Sequence, residues 1–115
     1  MIPLLGVVET WSYLAQAERL LSEDERSALV DTIALNPEAG VVIPGTGGLR
    51  KMRIALQGRG KRGGGRVIYW YHSPGYPAVL LWVLAKSAAE DLTKEQYRKL
   101  AGAIEGLIED FGARR

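Results

Sequence analysis

LRKMRIALQ (residues 49–57), RVIYWYH (66–72) and AVLLWVLAK (78–86) follow one another in the second half of the chain, and their spacing decides the fold. In the first run Met52, Ile54 and Leu56 alternate with Lys51, Arg53 and Ala55, the period-two pattern of a strand with one wet face. The second is rich in β-branched and aromatic residues. The third is apolar at almost every position, which predicts a strand covered on both faces and therefore central in a sheet. Ser73-Pro74-Gly75-Tyr76-Pro77 is a turn by its proline and glycine content. The three runs read as an antiparallel meander.

Helices flank this meander. Residues 3–9 predict a short strand, and Thr10 to Leu21 a helix with Trp11, Leu14, Ala17 or Ala15, and Leu21 on one side. Ser22-Glu23-Asp24-Glu25 forms a capping box, in which the serine and glutamate side chains each accept from an otherwise unpaired amide at a helix start. That second helix turns Leu29 and Ile33 inward and stops at Asn36-Pro37, since proline disfavours helix in the residue before it. Residues 37–48, with two prolines and four glycines, read as a loop. Thr93 with Gln96 caps a last helix whose stripe runs through Tyr97, Leu100, Ala101, Ile104, Leu107, Ile108 and Phe111. The predicted order is strand, helix hairpin, three-stranded meander, C-terminal helix: an α+β class single domain over residues 1–115.

Charge is concentrated. Residues 50–66 carry seven cations (Arg50, Lys51, Arg53, Arg59, Lys61, Arg62, Arg66) and no carboxylate, whereas residues 1–49 balance to −5 and residues 67–115 to zero. Such a block, interrupted by glycines, suits a polyanion partner. The chain has no cysteine and a single histidine, His72, which disfavours thiolate chemistry, a zinc site or a histidine triad. The start MIPLLGVVE has no basic leader, and residues 79–85 are too few to span a bilayer, so a cytoplasmic location is expected.

If His72 pairs with Ala78 across the turn, Arg66 lies opposite Leu84, and Lys86 falls on the same face about 7 Å further along. His72 is then roughly 20 Å from Arg66 and outside any common site. An odd-sum register between the first two strands would place Lys51 and Arg53 on that face too, the arrangement that keeps charge out of the core. Arginine and lysine with no carboxylate or histidine nearby suit phosphate binding and phosphoryl transfer. A lysine crowded by other cations can serve as a base. On RNA the nucleophile is already present as the 2′-hydroxyl, so no metal or other cofactor is expected. The bland reading of the same cations is a solvated surface or a noncatalytic basic RNA-binding module.

Asn36-Pro37-Glu38-Ala39-Gly40, Ile43-Pro44-Gly45-Thr46-Gly47-Gly48-Leu49-Arg50-Lys51, Gly60-Lys61-Arg62-Gly63-Gly64-Gly65-Arg66-Val67-Ile68-Tyr69, and Ala85-Lys86 before Glu90-Asp91-Leu92-Thr93 resemble the HigB-like branch of the RelE/ParE toxin superfamily. The likeness extends over residues 7–110. It implies a RelE-like (microbial-RNase-like) fold and the toxin role of a type II toxin–antitoxin system. Toxins of this branch look like ribosome-dependent endoribonucleases that cut translated mRNA and are silenced by a cognate antitoxin, often a helix-turn-helix protein, in a hetero-oligomer. The resemblance makes Arg66, Lys86 and Arg53 the catalytic candidates, with Lys51, Arg59, Lys61 and Arg62 gripping RNA backbones. Thr93 falls near the family's C-terminal tyrosine, while the helical stripe turns Tyr97 toward the core. The alternative within the superfamily is a ParE-like inhibitor of DNA gyrase on the same scaffold.

Overall fold

The computed structural model describes residues 6–56, 64–86 and 91–113. Its elements are β1 (Val7–Glu9), α1 (Trp11–Leu20), α2 (Glu23–Leu35), β2 (Val41–Val42), β3 (Leu49–Ile54), β4 (Gly65–Trp70), β5 (Ala78–Ala85) and α3 (Lys94–Ala113). The predicted meander is the centre of a five-stranded mixed sheet in the order β1-β5-β4-β3-β2. β1 pairs parallel to β5, and two residues of the expected 37–48 loop, Val41 and Val42, pair with Arg50 and Lys51 as an edge strand. The apolar run 78–86 is indeed interior, flanked by β1 and β4.

Local signals act where the sequence places them. Ser22 and Glu25 form the reciprocal cap of α2, which ends at Leu35 before Asn36-Pro37. Thr93 and Gln96 do the same for α3. Thr10, whose hydroxyl accepts from the Tyr13 amide, caps α1 and donates to Leu80 O at 2.8 Å, tying the helix start to the sheet. This cap rotates α1 so that Tyr13 and Ala17, not Trp11, face inward, and Trp11 is 87% exposed. The placement expected for Trp11 is therefore wrong, while Leu14, Ala17 and Leu21 of the same expected face do pack on the core.

The sheet has a helix layer on each side, and so two cores. Val67, Tyr69, Leu80 and Val83 pack with Met52 and Ile54 against Tyr13, Ala17, Leu29 and Ile33 of the α1–α2 hairpin. Leu49, Ile68, Trp70, Val79 and Leu81 pack on the other side against Tyr97 and Ile104 of α3. The expectation of an open face on β3 is thus corrected, because α3 covers the Leu49 end of it. Leu49 is fully buried, whereas Arg53, four residues on, is exposed. On the hairpin side, the Tyr69 hydroxyl donates to Pro37 O and accepts from the Gly40 amide, both at 2.8 Å. Arg50 reaches Glu38 O and Gly40 O from the same side. A Cβ on Gly40 would come within 2.7 Å of that hydroxyl, so only glycine fits there.

Register fixes where the cations emerge. β3 and β4 pair Leu49 with Trp70 and Arg53 with Arg66, the odd-sum arrangement that segregates charge. β4 and β5 pair Arg66 with Leu84 as expected, but for a different reason. Near the turn Trp70 pairs with Val79, one position off the assumed His72–Ala78 register, and a bulge at Ile68/Tyr69 restores it beyond Trp82. Leu81 is the additional residue, and it and Trp82 both lie with the α3-side core.

Candidate functional site

At the end of the sheet that α3 leaves uncovered, Arg53 and Arg66 are directly opposed across β3 and β4. Strand alternation puts Lys51 on their side, two residues before Arg53. Lys86 follows β5 directly, its amide donating to Gly64 O at 3.0 Å, so antiparallel pairing continues to its position and alternation places it with Leu84 and Arg66. Arg66 and Lys51 are half-buried, and Arg53 and Lys86 are exposed. Like charges opposed in a ladder disfavour folding. The Arg53–Arg66 pair thus concentrates positive charge where a structural role would avoid it. Arg59, Lys61 and Arg62 lie outside the described residues, so three of the seven candidates have no geometry here.

One carboxylate joins this end, contrary to the expectation of a purely cationic cluster. Asp91 Oδ2 accepts from Lys51 Nζ at 3.1 Å. Its other oxygen accepts from the Tyr97 hydroxyl and from the Leu92 amide. Burial pushes the Asp91 carboxyl up, but the hydrogen bonds from Tyr97, Lys51 and Leu92 outweigh it and hold it below the ordinary carboxylate range. Tyr97 moves the opposite way: burial, then the bond to Asp91, raises its phenol far above the usual value, while the positive charge of Arg66 opposes the rise. The ring of Tyr97 is packed in the α3-side core, as its stripe predicts, yet its hydroxyl comes out at the cationic end. Thr93 is occupied as a helix cap. Sequence reasoning missed Asp91 and the Tyr97 hydroxyl, and the one available signal was Asp91's position two residues before the Thr93 cap.

Two basic residues that were not site candidates lie elsewhere. Arg50, part of the same cationic run, belongs to the opposite side and clamps the 38–40 backbone. His72 is exposed, stacked on Trp70 at 5.8 Å between ring centres and edge-on to Tyr76, at the far end of β4 from Arg66. Among the described residues no group of three or more histidines or carboxylates could hold a metal ion, and no helix is long and apolar enough to cross a membrane.

Beside Tyr97 a groove of about 640 Å³ separates residues 43–46 from α3. Its loop wall is held in place: Thr46 Oγ1 donates to Ile43 O and accepts from the Leu49 amide, and Trp70 Nε1 donates to Gly47 O. Gly45, Gly47 and Gly48 all have positive φ, which lets the loop turn this tightly.

No protein-family model matches this sequence. Among solved structures, the chain is similar to the E. coli toxin RelE, a mutant in the free state, with a TM-score of 0.52 and 18% sequence identity. The match covers 76% of this chain and 90% of that one. At this identity the likeness establishes the fold: the chain has the RelE-like α+β architecture.

Proposed function

We propose that the chain is a single-domain toxin of a type II toxin–antitoxin system, of the HigB-like branch, and that it cuts translated mRNA on the ribosome in the cytoplasm. A cognate antitoxin of helix-turn-helix type would silence it in a hetero-oligomer. The observation that carries the reading is the Arg53–Arg66 opposition, with Lys51 and Lys86 on the same side at the uncovered end of a RelE-like sheet.

In this reading the 2′-hydroxyl of the nucleotide before the cut attacks the adjacent phosphorus. The bond to the 5′-oxygen breaks, giving a 2′,3′-cyclic phosphate and a 5′-hydroxyl. Arg66 stabilises the negative charge of the pentacoordinate phosphate, and Lys86 and Arg53 neutralise charge or assist 2′-oxygen deprotonation. Lys51, Arg59, Lys61 and Arg62 hold the RNA backbone. The charge comes from these cations, so cleavage is independent of metal ions and persists in a chelator. The hydroxyl of Tyr97 already donates to Asp91, so no proton transfer is assigned to it.

The test is brief induction of the wild type and of Arg66→Ala, followed by mapping of transcript 5′ ends. New ends inside translated codons with the wild type, and none with the variant, are expected. Growth arrest with DNA-damage signalling and no new ends would instead mean gyrase inhibition, and undiminished cutting by Arg66→Ala would reject the assignment of that residue.

A further inference from the structure

The groove between residues 43–46 and α3 is unused by the cleavage step, yet it opens beside it. Tyr97 lines the groove while its hydroxyl rests on Asp91, which in turn holds Lys51. The groove and the cationic end therefore meet at one side chain. Its polarity is uneven: Lys94 and Arg98 stand beside Tyr97, and Glu105 lines the groove two turns further along α3. The partner of Arg98 is Glu95 in an exposed i,i+3 pair at 3.0 Å, a contact weak enough to exchange for a phosphate. Between the charges the walls are apolar and small, with Ile43 and Pro44 on the loop and Ala101 and Gly102 on the helix.

We propose that this groove seats one nucleotide of single-stranded RNA flanking the scissile phosphate, with its phosphate at Lys94 and Arg98 and its base between Pro44 and the Ala101–Gly102 step of α3. The proposal rests on the RNA-cleaving reading above. The volume lies within the ~300–1,000 Å³ of small-molecule clefts. The carboxylate of Glu105 keeps a second phosphate out of the far end and so orients the nucleotide. The loop wall is fixed by the Thr46 and Trp70 hydrogen bonds, so the groove is preformed and little ordering cost attends binding.

The helix itself supplies a matched pair of substitutions. A Cβ at Gly102 or at Gly106 meets no atom within 4 Å, and both residues are exposed, but only Gly102 lines the groove. Leucine is the better helix former at either position. Gly102→Leu therefore fills the groove without straining the fold, and Gly106→Leu is its control. The measurement is steady-state cleavage of a transcript on programmed ribosomes, with thermal midpoints recorded for all three proteins. Gly102→Leu is expected to raise KM about tenfold, the scale of one lost base-stacking contact. Gly106→Leu is expected to stay within about twofold of the wild type on the same scale. Equal KM values for the two variants would overturn the proposal while leaving the nuclease reading intact. A wild type that leaves the transcript uncut would overturn that reading, and this inference with it. Should Gly102→Leu unfold, Lys94→Gln at an exposed position makes the same test. A raised KM with a salt dependence shallower by about 0.7 in slope supports the site, and unchanged values reject it.

Discussion

The two faces of the sheet use the same residue types for opposite ends. On the hairpin face, Arg50 and Tyr69 direct their hydrogen bonds to backbone: Nη1 of the guanidinium to Glu38 O and Gly40 O, the phenol to Pro37 O and the Gly40 amide. On the α3 face, Lys51 and Tyr97 meet each other through a carboxylate at the rim, beside two opposed arginines. Arg50 and Lys51 are adjacent in sequence, and strand alternation alone sends one to hold a loop and the other to the open end. A cation is structural here when its partners are backbone carbonyls, and it is available for an anion when its partner is a half-exposed side chain at the rim.

This contrast breaks first at Arg66. Arg66→Ala is expected to lower transcript cleavage by ~10²–10³-fold, the scale of removing a donor that stabilises transition-state charge, with the thermal midpoint nearly unchanged. A comparable loss of stability would make the α3 face as structural as its opposite. On the hairpin face the split reverses. Tyr69→Phe leaves the buried Gly40 amide and the part-buried Pro37 carbonyl without this partner and is expected to cost ~1–3 kcal/mol in denaturant titration, with kcat unaltered in the folded fraction.

Smaller effects sharpen the contrast. Arg53→Thr removes a like-charge opposition and adds a β-branched residue to β3. It is expected to gain ~0.2–1 kcal/mol of stability while cleavage falls, a pairing that chemical unfolding and kinetics together would detect. Asp91→Asn keeps an oxygen for the Tyr97 hydroxyl and the Leu92 amide but removes the charge facing Lys51. Asp91 ionises below the ordinary carboxylate range when folded, so its contribution is present above about pH 4 and lost as pH falls through the lowered value. The acid limb of the stability curve should therefore flatten in Asp91→Asn. Its affinity for heparin should rise, and an unchanged affinity would mean that Lys51 is not restrained by this pair.

Legibility followed distance along the chain. The caps at Ser22–Glu25 and Thr93–Gln96 join residues three positions apart and were readable. For β3 on β4 only the parity was readable, because burying lysine and arginine is costly and an odd sum avoids it, while the glycine-rich connection left the register itself open. Asp91 was not, since it meets Lys51 across forty positions and its own neighbourhood reads as a helix lead-in. Nor was Trp11, whose exposure depends on how Thr10 anchors α1 to Leu80. The parallel pairing of β1 beside β5 left no mark in so short a strand.

The additional residue in β5 gives the hairpin a phase correction. Because a strand repeats every two positions, the half of β5 near the 72–77 connection and the half near Lys86 run out of step, and Leu81 absorbs the difference. Changes in that connection can thus be tolerated without disturbing the cations at the other end. Deleting Val83, beyond that bulge, would instead slide Lys86 by one place and swing it to the hairpin side. The chemistry would be lost with every charged residue still in the chain.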